Sequence, residues 1–151
     1  MSSFLVDSNI FIYAADEDIP QFKIAKETLL KAANTNEEWC ISWQNVYEYL
    51  SIVTNRKVFH GKPLGYIDAI GNMNAVLSLA NVRVIYETEN HWQAFQTVLN
   101  LVRNVEGAFI YDCKLAAVMK ENEVYRIITA DEGFRRFHFL KIENPFLSKR
   151  L

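Results

Sequence analysis

No stretch of this 151-residue sequence approaches a membrane span, which requires about 20 consecutive apolar residues. A basic leader is missing as well, and Asp7 interrupts the apolar run Phe4-Leu5-Val6, so no export signal is expected and a cytoplasmic location is. Cysteine is scarce. Cys40 and Cys113 lack CxxC spacing and sit beside apolar residues, which favours buried free thiols in a reducing compartment over a disulfide. The three histidines, His60, His91 and His138, are scattered without zinc-ligand spacing, which argues against zinc chemistry. There is no basic surplus either. A net charge of −2 excludes wrapping nucleic acid with a basic body. It leaves room for a protein whose acids gather in one pocket while lysines and arginines line the rim. Internal repeats, low-complexity tracts and linker-like segments are all absent, so residues 1–151 are expected to form one domain. At this length such a fold buries roughly 70% of the surface its unfolded chain exposes, and needs no disulfide or structural metal.

What the sequence has in quantity is apolar and aromatic surface, at 50% hydrophobic and 13% aromatic residues. That abundance implies a well-filled core and a surface covered by a partner. Short apolar runs alternate with longer helical patterns. Phe4-Leu5-Val6, Trp39-Cys40-Ile41, Val82 to Ile85, Ile127 to Ala130 and Phe139 to Glu143 read as strands. Between them, Phe22, Ala25, Leu29 and Ala32 follow helical spacing from Pro20 to about Ala33, and Ser42 caps a helix running to about Asn55. Gly61-Lys62-Pro63 marks a turn, after which Tyr66, Ile70, Met73 and Leu77 form a stripe. Asn90 with Gln93 resembles a capping box opening a helix from His91 to Val105, ended by Gly107. A last helix covers about Phe109 to Asn122, with Leu115, Ala116 and Met119 on its apolar face. This alternation predicts a three-layer α/β domain around a central, mainly parallel sheet of about five strands. In such folds ligands bind at the carboxyl ends of the strands.

That edge is where acids collect. Asp7 follows the first strand and Asp131 the fourth. Asp112 lies near the start of the last helix, and Glu48 sits about a turn and a half into the helix after the second strand, within reach of the same edge. Each has a bland explanation: a strand-end turn for Asp7, a helix-start acid for Asp112, the turn Asp131-Glu132-Gly133, and a solvated helix position for Glu48. Against those readings, Glu48 and Asp112 lie among apolar and aromatic neighbours, where an unpaired carboxylate is costly. No lysine or arginine follows Glu48 at i+4, since position 52 is Ile52. A metal ion would compensate all four.

The ordered motifs Phe4-Leu5-Val6-Asp7-Ser8-Asn9, Ile41-Ser42 through Gln44 to Glu48, Tyr111-Asp112-Cys113-Lys114-Leu115-Ala116-Ala117, and Thr129-Ala130-Asp131 with Phe134 resemble the PIN-domain nucleases. Among these they resemble the VapC-like toxin ribonucleases of toxin–antitoxin pairs. The likeness covers nearly the whole chain; the aromatic-rich middle from Phe59 to Leu79 departs from it. It implies that Asp7, Glu48, Asp112 and Asp131 are metal ligands or their close support, and that Ser8, Asn9 and Thr129 assist by hydrogen bonding. Hard oxygen donors select Mg²⁺ or Mn²⁺, one ion or two, and such ions promote phosphodiester hydrolysis. In that reading Asp7 and then Asp112 are direct ligands, Glu48 a ligand or the base that orients water, and Asp131 a direct or water-mediated member. Arg56, Lys57 and Lys62 on one side, or Arg135 and Arg136 on the other, are candidates to contact RNA phosphates.

A homodimer bound to a small antitoxin is also expected. The exposed partner surface would draw on Phe22, Tyr47, Tyr49, Phe59 and Tyr66, and an apolar antitoxin segment would lie along a groove beside the acids. Rival classes fare less well. A phosphatase of the haloacid-dehalogenase kind would carry a second Asp where Asn9 stands, and a receiver domain would want paired acids ahead of its acceptor. A housekeeping RNA-processing nuclease, and a non-catalytic interaction module on the same fold, remain the alternatives.

Overall fold

The computed structural model describes residues 3–59 and 62–147. Five strands form one sheet in the order β3-β2-β1-β4-β5: β1 Phe4–Val6, β2 Trp39–Ser42, β3 Val82–Ile85, β4 Arg126–Ile128 and β5 Lys141–Glu143, with every pairing parallel. The chain thus builds outward from β1 through β2 to β3, then returns to the other side of β1 for β4 and β5. The strand order reverses between β1 and β4, which makes the carboxyl ends of those two strands the natural crevice of the fold.

Side-chain alternation along the strands sorts the core into two layers. Leu5, Cys40, Ile85 and Ile127 face one way, onto α5 (His91–Leu101) and α6 (Phe109–Glu121). Phe4, Val6, Trp39 and Ile41 face the other way, onto α1 (Ser8–Tyr13), α2 (Phe22–Asn34), α3 (Trp43–Val53) and α4 (Tyr66–Leu77). Three layers result, as the sequence pattern predicts. Cys40 and Cys113 are buried free thiols in the first of these cores. No helix among the described residues is long and apolar enough to cross a membrane.

Local expectations hold unevenly. Ser42 does cap α3, in a reciprocal capping box with Asn45. Asn90 does not: its backbone lies at φ −93°, ψ 10°, and its side chain makes no cap bond, because a cap needs extended geometry to aim its oxygen at the helix amides. The start of α5 is held instead by the Glu121 carboxylate, which accepts from Thr88 N at 2.9 Å and Thr88 Oγ1 at 2.7 Å and meets His91 Nδ1 at 2.6 Å. α5 also stops at Leu101 rather than Val105, and Gly107, at φ +59°, turns the loop before α6. α2 begins at Phe22, leaving Pro20 in the preceding turn. β4 ends at Ile128, although Thr129 N still reaches Glu143 O at 3.0 Å. α1, directly after Asp7, is a helix that no periodicity announced. The turn expected at Gly61-Lys62-Pro63 lies partly outside the described residues, as does His60.

The stripe expected on α4 is rotated. Met73 and Ala69 are the buried positions, whereas Tyr66 is 72% exposed and Ile70 42% exposed. Small Ala69 allows a close approach that large neighbours would block, so the apolar count alone misplaced the face. Of the aromatics expected at the surface, Tyr47 and Tyr66 are exposed, while Tyr49 and Phe59 belong to the core. Met73→Ala should therefore cost about 2–5 kcal/mol, and Ile70→Ala should stay within about 0.5 kcal/mol. Denaturant unfolding of the two variants checks this; equal losses would put the stripe back on Ile70.

Candidate active site

Asp7 is the fixed point of the carboxyl edge. Its amide continues the sheet by donating to Ile128 O at 3.0 Å, and its side chain caps α1 by accepting from Ser8 N at 2.8 Å. The same Oδ1 accepts from Asn45 Nδ2 at 3.0 Å, and Oδ2 accepts from Thr129 Oγ1 at 2.7 Å and Asn9 Nδ2 at 3.3 Å. The carboxylate is buried, yet four different residues satisfy it, which is what makes a buried charge tolerable.

Those donors are themselves tied to the neighbouring acids. Thr129 Oγ1 accepts from Asp131 N at 3.0 Å and from Asn9 Nδ2 at 3.1 Å, and Asn9 Oδ1 takes Ala130 N at 3.1 Å. The loop after β4 is thereby locked to the loop after β1. Asp131 does not follow β4 directly, since Thr129 and Ala130 intervene. It caps the 3-10 helix Glu132–Arg136 by accepting from Gly133 N at 2.8 Å. A Cβ at Gly133 would stand 2.9 Å from Asp131 Oδ1, so glycine there leaves room for the carboxylate. On the other flank, Ser8 Oγ reaches Glu48 Oε1 at 3.2 Å and Asp7 Oδ1 at 3.4 Å. Gln44 Nε2 donates to Tyr111 O at 3.2 Å, joining the first turn of α3 to the first turn of α6, which carries Asp112.

Asn45 is the member that sequence reasoning missed. It is fully buried, its Oδ1 accepts from Ser42 N at 3.1 Å and Ser42 Oγ at 2.8 Å, and its Nδ2 holds Asp7. The signal was present as Ser42-x-x-Asn45, a polar residue three positions after a cap and followed by Val46. It was passed over because the capping box usually ends in Glu or Gln.

Electrostatics bind the four acids into one unit. Burial and then the Asp131, Asp7 and Glu48 charges push Asp112 up to about 7, with the Arg136 guanidinium working against them. The amino end of α6 favours an anion, but these effects outweigh it. Burial raises Asp7, aided by the Asp131 charge and opposed by the bonds from Thr129 and Ser8. Glu48 is raised by burial and by Asp7, against Ser8, Lys114 and Gln44. Nevertheless, among the described residues no three acidic, histidine or cysteine side chains already stand as a coordinating group. The arrangement is a shared field of hard oxygen donors in which the opposing Arg136 and Lys114 charges do not outweigh burial and mutual repulsion, suited to a small divalent cation.

The sequence matches the PIN domain family over residues 4–140. The chain belongs to the PIN-domain family. It is similar, at 31% identity over 140 residues covering 93% of each chain, to a VapC ribonuclease of Mycobacterium bovis and to the ribonuclease VapC43 of Mycobacterium tuberculosis. Among solved structures it resembles VapBC2 from Rickettsia felis, determined with a promoter DNA fragment, at a TM-score of 0.66 and 16% identity, covering 93% of this chain and 97% of that one. VapC20 of Mycobacterium tuberculosis, described as a sarcin-ricin loop cleaving toxin, superposes at 0.62 with 19% identity over 88% and 93% of the two chains. At those identities the structural likeness is one of the PIN fold.

Two outcomes follow for this PIN domain. Asp112 has a folded pKa of about 7 against 3.8 for a free side chain, so its contribution to stability is complete below about pH 4 and is lost as pH rises through 7. The melting temperature of the metal-free protein should therefore fall between pH 5 and pH 8, and less so in Asp112→Asn. A parallel response of the two proteins would contradict the coupling. Separately, Asn45→Ala should cost about 1–3 kcal/mol by leaving buried partners unsatisfied, read by thermal or denaturant unfolding.

Proposed function

We propose that this chain is a cytoplasmic, metal-dependent endoribonuclease, the toxin of a toxin–antitoxin pair, with Asp7, Asp112, Glu48 and Asp131 as its metal-binding set. The observation that carries this reading is the shared field of those acids at the switch point of the sheet, where Asp112 stays partly protonated near neutrality. The family membership and the names of the relatives agree with it. Mg²⁺ or Mn²⁺, as one ion or two, would be held by these carboxylates and would offset the repulsion that helps to raise Asp112 and Glu48. When bound, the ion supplies Lewis acidity, offsetting charge on the phosphate and on the departing oxygen.

The chain's own residues do the rest. Hydrolysis forms one P–O bond to a water oxygen and breaks one P–O bond to ribose, with a proton moving from the water to the departing oxygen. Glu48, raised by burial and by Asp7, is a better base than a free glutamate and orients that water. Asp7 is held too firmly to move, and would offer the ion a ligand of fixed position. Ser8, Asn9, Thr129 and Asn45 keep its carboxylate aimed.

A protein partner and a homodimer complete the proposal. An apolar groove of about 300 Å³ between α1, α2 and α4, lined by Phe11, Leu29, Leu30, Trp39, Val76 and Leu79, supports an antitoxin segment docking there, toward the amino end of β2 rather than beside the acids as the sequence suggests. The exposed Tyr47, Tyr66, Ile67 and Ile70 on α3 and α4 support self-association.

Purified protein should cut single-stranded RNA with Mg²⁺ or Mn²⁺ and stop when chelator is added. Folded Asp7→Asn should lose more than the roughly 10–100-fold that removal of a supporting hydrogen bond costs. Cleavage undiminished in excess chelator, or near-normal turnover by Asp7→Asn, would mean the site is wrong. Expression without toxicity, with no partner copurifying when its genomic neighbour is supplied, would favour a housekeeping nuclease.

A further inference from the structure

Among the described residues, three arginines are spent on carboxylates. Arg83 pairs with Glu38 at 2.8 Å, Arg126 with Glu37 and Glu143 at 3.2 and 3.1 Å, and Arg135 with Glu132 at 2.7 Å. Lys114, two residues from Asp112, lies 3.5 Å from Glu87. Arg56 and Lys57 are exposed beyond the far end of α3, and a helix of 11 residues at 1.5 Å per residue puts them about 16 Å from the edge where α3 starts.

Arg136 differs. Its Nη2 donates to the carbonyls of Arg103 and Asn104, and its guanidinium carbon lies 3.7 Å from the centre of the Phe109 ring. Phe109 in turn stacks on buried Phe137, with centroids 5.4 Å apart and planes within 10°. The acceptor loop is shaped for this contact, with Asn104 in the left-handed region at φ 56°, which Asn tolerates better than most residues. All of these partners are uncharged, so the group is immobilised without being neutralised. Its Nε and Nη1 make no hydrogen bond among the described residues, and it forms no ion pair there. Phe109 and Asp112 are three positions apart on α6, hence on adjacent turns of one face. The cation therefore stands beside the acids with its Nε–H and Nη1–H donors unspent.

We propose that Arg136 binds an RNA phosphate flanking the cut, and so sets the register of the strand across the acidic site. The unspent Nε–H and Nη1–H donors can each reach a phosphate oxygen beside a fixed positive charge, and a group already held in place loses little freedom on binding. Arg135, spent on Glu132, does not share the role. The inference rests on the ribonuclease reading but is tested by binding rather than by turnover.

The probe is a mixed-sequence single-stranded RNA decamer, titrated by fluorescence anisotropy against the full chain carrying Asp7→Asn, over a series of salt concentrations. Arg136→Gln should weaken binding about 10- to 100-fold and flatten the dependence of log K on log salt by about 0.7, the value for one phosphate contact on a single strand. Arg135→Gln should change the slope much less. An arginine that only ties down the 103–104 loop would lower the melting temperature and leave the slope alone. Should Arg136→Gln fail to fold, the Arg136 side-chain ¹⁵Nε resonance of the Asp7→Asn chain should shift on adding RNA while that of Arg135 stays. An unchanged slope in a folded Arg136→Gln, an unmoved Arg136 resonance, or no binding of RNA overturns the proposal. Cleavage by the parent chain together with an unchanged slope would overturn this inference alone. Binding with a reduced slope but no cleavage under any divalent metal would instead remove the ribonuclease reading.

Discussion

Repulsion among carboxylates that the fold will not allow to separate is the constraint on which the rest of this molecule depends. Asp7 is delivered by β1, Glu48 by α3 after β2, Asp112 by the first turn of α6 and Asp131 by the loop after β4. Together these elements set four acids in one partly desolvated region, where burial first and the neighbouring carboxylates second raise Asp7, Glu48 and Asp112. A fold optimised for stability alone would not keep such a cluster. Proteins retain unfavourable local arrangements chiefly where function requires them.

The hydrogen bonds around Asp7 show how the strain is contained. A buried carboxylate costs several kcal/mol unless it is fully satisfied, and Ser8, Asn9, Asn45 and Thr129 satisfy it with short neutral side chains. None of them brings a positive charge. A lysine or arginine in their place would neutralise Asp7 and remove its attraction for a cation. Neutral donors hold the carboxylate in position and leave its charge available. Arg136 shows the same logic with the sign reversed, being held by carbonyls and a ring rather than by an acid.

Much of this could be read from the residues because strand alternation and edge position are properties of the chain itself. Leu5 and Ile127 alternate with Phe4, Val6 and Ile128 as a sheet covered on both faces requires, and acids at the ends of parallel strands mark a binding edge in any such fold. Other features were set by tertiary contact. Which side of α4 faces inward depends on how closely Ala69 lets the helix approach, and a count of large apolar residues does not carry that. The start of α5 is fixed by Glu121, a residue 30 positions from His91, so a local capping pattern at Asn90 could not reveal it. Asn45 reads as an ordinary polar helix residue until Ser42 and Asp7 are placed on either side of it.

The most direct test of the account is proton release on metal binding. Calorimetric titration of Mn²⁺ into the protein at pH 6.5, in two buffers of different ionisation enthalpy, reports the number of protons displaced. If the acids form one coupled site with Asp112 near 7, binding should release a substantial fraction of a proton. That release should decline toward pH 8.5 and should largely vanish in Asp112→Asn. Binding with no proton release at pH 6.5, or with the same release from Asp112→Asn, would show that these carboxylates do not share a field and would contradict the central claim.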